Sequence, residues 1–84
     1  MTEHSEIAEW RRLVDSYEEV IVKFEQVRSD LHKRRSSATD TVMRIIDERL
    51  ELNERTLIVM REGMETAKRG MRRAEQGQRR FPSA

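Results

Sequence analysis

The sequence predicts an all-α fold: a coiled-coil-like antiparallel hairpin of two helices, which is expected to associate into a four-helix bundle. Three observations support this prediction. The first 62 residues contain no glycine and no proline, which is typical of a chain that is almost entirely helical. Two long segments place apolar residues at alternating steps of three and four, the spacing of helices that pack side by side. A polar stretch with helix-start signals separates the two segments.

Composition limits what can stabilise such a chain. It has 84 residues, 39% of them charged, and no cysteine, so neither a disulfide nor a thiolate metal site can reinforce a small core. Its longest apolar run has four residues, far fewer than the roughly 20 that span a bilayer. The first ten residues lack the basic-then-apolar order of a secretory signal. The expected compartment is therefore the cytoplasm, with signal-less export left open.

Helix 1 is predicted at about residues 5–34, after a flexible N-terminal segment at residues 1–4. Ser5 is a suitable N-terminal cap, and Glu6 and Glu9 would lie near the positive end of the helix dipole. The positions that should face the other helix are Ile7, Trp10, Val14, Tyr17, Ile21, Phe24, Arg28 and Leu31. Seven of these eight are apolar, so this row predicts one side of the hairpin seam.

Helix 2 is predicted at about residues 38–76, followed by a flexible basic tail at residues 77–84. Its seam positions are Met43, Ile46, Leu50, Asn53, Leu57, Met60, Met64, Ala67, Met71 and Ala74. Asn53 is the one polar member of the row. At such a position an asparagine can fix register and oligomer number by bonding to its symmetry mate, or it can lie partly exposed in a loosely packed layer.

A turn is predicted at about residues 35–38. Ser37 and Asp40 have the spacing of a helix-capping box, with Asp in the place of the usual Glu. The absence of glycine from the turn leaves one continuous helix as an alternative. An antiparallel hairpin folded at this turn should place Trp10 against Gly63 and Met64, and Tyr17 against Leu57.

Both helices carry a second apolar row that a single neighbouring helix cannot cover. The residues predicted to form a protein interface are Leu13, Val20, Val27, Ile45, Leu52, Ile58 and Val59. Left in water, they would form a larger apolar patch than monomers usually expose. The sequence therefore predicts a homodimer or a helical protein partner. The alternative is that Ile58 and Val59 are isolated surface residues.

The charge is uneven along the chain. Residues 1–65 carry a net charge of −4, and residues 66–84 carry +5. The basic residues of the second segment are Lys68, Arg69, Arg72, Arg73, Arg79 and Arg80. They could contact nucleic acid, an acidic protein or an anionic membrane, or they could simply suit the negative end of a helix dipole.

No sequence pattern indicates catalysis. The two histidines, His4 and His32, are 28 residues apart, and the chain has no glycine-rich phosphate loop and no Cys-x-x-Cys pair. We therefore expect no enzyme activity, no cofactor, no metal and no small-molecule substrate. The expected function is that of a helical interaction module: an adaptor, an assembly subunit or a chaperone-like partner. The alternative is a dimeric nucleic-acid-binding regulator that uses the basic end.

Overall fold

A computed structural model describes residues 3–80 and confirms the all-α hairpin. Helix α1 spans Glu3–Arg35 and helix α2 spans Asp40–Arg80. The two helices pack side by side, and the hairpin measures 68 × 16 × 14 Å. The alternative of one continuous helix is therefore wrong.

The helix ends differ from the predicted ends. Helix α1 already includes His4 and Ser5, so Ser5 lies inside the helix and does not cap it. Helix α2 continues to Arg80, so residues 77–80 are helical and do not belong to a tail. The rest of the predicted tail, residues 81–84, lies outside the described residues, as do residues 1 and 2.

The turn at residues 36–39 needs no glycine because none of the described residues has a positive φ angle. The amides of Ser37 and Ala38 donate to the carbonyls of Arg34 and Arg35, each at 3.3 Å, and close the end of α1. Thr39 then caps α2, since its Oγ1 accepts a hydrogen bond of 3.5 Å from the amide of Val42. The prediction that Ser37 begins the capping box was wrong by two residues.

The core is a single seam between the helices. Its buried apolar side chains are Val14, Ile21, Leu31, Ile46, Leu57 and Ala67, and Leu57 has no exposed surface. Asn53 is buried with them, whereas Trp10, Tyr17, Phe24, Leu50, Met60 and Met64 are half-buried. The seam is narrow because two helices alone can enclose only the residues directly between them.

The pairing of the two helices differs from the prediction by about one heptad. A Cβ atom added to Gly63 would lie 2.7 Å from Tyr17 Cζ, and one added to Gly70 would lie 2.7 Å from Trp10 Cη2. Trp10 therefore faces Gly70, seven residues beyond the predicted Gly63. The idea that a large ring packs over a glycine is retained, but the assignment of rings to glycines was wrong.

The shift follows from the geometry near the turn. Arg35, the last residue of α1, binds Asp47, which lies in the second turn of α2. The end of α1 is thus set beside the second turn of α2, and every layer further along is displaced accordingly. As a result, α1, which begins seven residues before Trp10, continues along α2 beyond Gly70 and does not end opposite Ala67.

Candidate protein interface

One side of the hairpin carries an apolar groove between the helices. The groove has a volume of about 390 Å³. Its lining residues are Phe24, Val27, Leu31, Arg49, Leu52, Asn53 and Thr56. Val27 and Leu52 are both exposed, so this groove brings together one member of each predicted second row.

A smaller groove lies further along α1. It has a volume of about 150 Å³ and is lined by Leu13, Ser16, Tyr17, Val20 and Met60. Leu13, Val20 and Val27 follow each other at steps of seven, so they share one face of α1. The two grooves therefore open on the same side of the hairpin.

Helix α2 contributes three residues to this side. Ile45 and Val59 are seven residues before and after Leu52, which lines the larger groove, so all three lie on one face of α2. Ile45 is 47% exposed, Leu52 is 65% exposed and Val59 is 62% exposed. We call the surface formed by Leu13, Val20, Val27, Ile45, Leu52 and Val59 the apolar face.

Ile58 does not belong to the apolar face. It is 47% exposed, but it points about 100° away from Val59 around the helix and lines neither groove. Val22 is 58% exposed and lies on the same side of the hairpin as Ile58, in a shallow groove of α1 whose other lining residues are all charged. Ile58 and Val22 therefore lie on the side of the hairpin away from the apolar face, and Ile58 does not share a face with Val59.

The sequence interpretation missed Arg49, Thr56 and Val42. Arg49 and Thr56 line the larger groove, and Val42 is 44% exposed near the start of α2. Val42, Arg49 and Thr56 follow one another at steps of seven residues, so they form one row of α2 that lies beside the seam. That spacing could have identified them, but the mixture of residue types concealed the row.

Asn53 leaves an unsatisfied acceptor at the larger groove. Its Nδ2 donates a hydrogen bond of 3.1 Å to the carbonyl of Phe24 on the other helix. Its Oδ1 is buried and accepts no hydrogen bond from the residues that the structure describes. An unpaired buried acceptor destabilises a fold, so the unpaired Asn53 Oδ1 carries a free-energy cost in the single hairpin.

Among the described side chains, two ion pairs join the helices, and both lie outside the grooves. Arg28 Nη1 lies 3.2 Å from Glu54 Oε2, and Arg35 donates to both carboxylate oxygens of Asp47, from Nε at 2.8 Å and from Nη2 at 3.3 Å. The hydrogen bonds from Arg35 lower the pKa of Asp47 below its ordinary value of 3.8. These pairs are solvent-exposed, so they fix the ends and the register more than they stabilise the fold.

The basic residues of α2 lie beside α1 and do not form a projecting extension. Lys68 is half-buried and pairs with Glu65 at 3.8 Å, whereas Arg69, Arg72 and Arg73 are exposed. These three residues are three and four positions apart, so they lie next to one another on one exposed face of α2. The side chains of Arg79 and Arg80 lie outside the described residues.

Among the side chains that the structure describes, in residues 6–77, no three His, Cys, Asp or Glu residues form a group that could hold a metal ion. Over the same range, neither helix has an apolar stretch long enough to cross a bilayer. No protein-family model, curated protein or solved structure compared with this chain matches it significantly.

Proposed function

We propose that this chain is a helical protein-interaction module that docks other helices on its apolar face. It acts as an adaptor, an assembly subunit or a chaperone-like partner, and its working form is a homo-oligomer or a heteromer. The observation that carries the proposal is the larger apolar groove, in which Val27 and Leu52 remain exposed.

The energetics favour a covered face. Burying an aliphatic side chain contributes about 1.5 to 3 kcal/mol, and five of the six residues of the apolar face are exposed. Their combined burial is comparable to the whole stability expected of a small domain. A helix laid between α1 and α2 would cover both rows, as in a four-helix bundle or a helix bound in a groove.

Charge substitutions on the two sides of α2 test this proposal. Leu52→Asp places a carboxylate in the groove, and Ile58→Asp places one on the opposite side at a similarly exposed position. Circular dichroism first verifies that both variants remain helical. Sedimentation then measures self-association, and affinity capture measures binding of other proteins.

We expect Leu52→Asp to abolish the association that the wild type shows and Ile58→Asp to retain it. Equal association by both variants would contradict the proposal, because it would mean that the apolar face is not the docking surface. A wild type that neither self-associates nor captures a protein would contradict it as well.

A second candidate function is nucleic-acid binding, favoured by the exposed guanidinium groups of Arg69, Arg72 and Arg73. Replacing all three by glutamine should then weaken the binding of labelled duplex DNA or RNA, and binding should fall steeply between low and physiological salt. Binding that is absent at low micromolar protein, or insensitive to salt, would exclude this function.

A further inference from the structure

We propose that the occupant of the apolar face is a second copy of the same chain, docked antiparallel so that the α1 helices of the two copies face each other at Val20. This inference rests on the proposed function, because it names the partner for the same surface.

The row of α1 that borders the grooves is self-complementary. Its members, at steps of seven, are Glu6, Leu13, Val20, Val27 and Arg34. The acidic residue and the basic residue occupy opposite ends, and the three apolar residues lie between them. Glu6 and Arg34 are both exposed, so their charges are available at the surface.

A two-fold axis at Val20 pairs this row with its own copy. Glu6 of one chain then faces Arg34 of the other, Leu13 faces Val27, and Val20 faces Val20. The Glu6–Arg34 pair and the Leu13–Val27 contact are each formed twice, as an isologous interface requires. An antiparallel arrangement of α1 with its copy thus matches charge with opposite charge and apolar with apolar.

The area is sufficient for a dimer. The row from Glu6 to Arg34 extends roughly 42 Å along α1 at about 1.5 Å per residue. The hairpin is 16 Å wide. The flat area of the face is therefore roughly 670 Å², which lies within the roughly 600 to 1,000 Å² that each partner buries in stable complexes.

Disulfide cross-linking tests the orientation directly, because the native chain has no cysteine. In Val20→Cys the two new thiols would face each other across the two-fold axis, within the distance that a disulfide bridges. Val22→Cys is the matched control: it replaces the same residue type on the same helix, at an exposed position on the opposite side. Mixing Leu13→Cys with Val27→Cys provides a second pair.

Under mild oxidation at low micromolar protein, we expect Val20→Cys to form a covalent dimer and Val22→Cys to remain mostly monomeric. The mixture of Leu13→Cys and Val27→Cys should form the mixed dimer in preference to either homodimer. Equal cross-linking of Val20→Cys and Val22→Cys would overturn the proposal.

A charge exchange provides the second measurement, made by sedimentation equilibrium. Glu6→Arg and Arg34→Glu should each raise the dimer dissociation constant by about 10-fold, since each juxtaposes like charges twice. The double variant restores opposite charges and should return the constant to within about 3-fold of the wild type. Failure of the double variant to recover would overturn the antiparallel orientation.

The outcomes separate this inference from the function it rests on. The proposed dimer is overturned if the wild type sediments as a monomer at every concentration of a dilution series that begins at high micromolar protein and covers about 100-fold. If such a monomer still binds another protein through Leu52 and not through Ile58, the interaction module stands with a different occupant. If dimerisation is unaffected by Leu52→Asp, both proposals fail.

Discussion

Replacement of Gly63 by alanine tests the observed helix register at one position. The added Cβ would lie 2.7 Å from Tyr17 Cζ and from Tyr17 Oη. Carbon atoms in contact are normally about 3.5 to 4.0 Å apart, so the ring must move by about 1 Å or leave the seam. Gly77 is the matched control, because a Cβ added there meets no atom within 4 Å.

The two substitutions should change stability in opposite directions. Alanine is favoured over glycine inside a helix by about 1 kcal/mol, and somewhat less at Gly77, which lies close to the end of α2. At Gly63 this gain is opposed by overpacking, which typically costs about 1 to 3 kcal/mol. We expect Gly63→Ala to lower the free energy of unfolding by about 1 kcal/mol and Gly77→Ala to raise it by about 0.5 kcal/mol.

Urea unfolding followed by circular dichroism measures both values, at one fixed protein concentration because association would shift them. A double-mutant cycle with Tyr17→Ala then isolates the contact. Without the ring, Gly63→Ala should become stabilising, which gives a coupling free energy of about 1 to 3 kcal/mol between the two positions. Gly77→Ala should show no coupling to Tyr17.

The register would be refuted if Gly63→Ala stabilised the protein as much as Gly77→Ala does. A coupling free energy near zero between Gly63 and Tyr17 would refute it too. If Gly63→Ala were instead coupled to Trp10, the pairing expected from the sequence would be correct and the observed one wrong.

Two further predictions concern the core and the ion pair near the turn. Leu57→Ala should lower the free energy of unfolding by about 3 kcal/mol, because Leu57 is fully buried. Ile58→Ala should change it by less than about 1 kcal/mol, because Ile58 is exposed. Similar losses of unfolding free energy in the two variants would contradict the burial pattern. Because Arg35 lowers the folded-state pKa of Asp47, this pair contributes stability above pH 3.8 that is lost as the pH falls through the lowered value. Thermal melts should therefore show Asp47→Asn to be less stable than the wild type at neutral pH, and this difference should disappear on acidification. Glu48→Gln is the control. A difference that persists in acid, or an equal loss of stability in Glu48→Gln, would contradict the role of Arg35.

The seam and the uncovered rows follow largely from residue spacing. Val14, Ile21 and Leu57 are buried as expected, and Asn53, for which the sequence left a partly exposed position open, is buried as well. Leu52 and its neighbours at steps of seven are exposed, because a row offset by about 100° from the seam cannot face the same partner helix. Ile58 and Val59, which the sequence interpretation grouped together, lie on different sides of α2 because adjacent residues in a helix point about 100° apart.

The sequence by itself determined that the chain forms two long amphipathic helices with more apolar surface than one seam can enclose. This information is local, since each row depends only on the spacing of residues along one helix. The tertiary structure alone decided which residues meet across the seam. A heptad pattern looks almost the same after a shift of seven residues, so periodicity cannot distinguish Gly63 from Gly70 as the neighbour of Trp10. The choice depends on the helix ends, on the Arg35–Asp47 pair and on the fit of each aromatic ring over a glycine, and these exist only when both helices are in place.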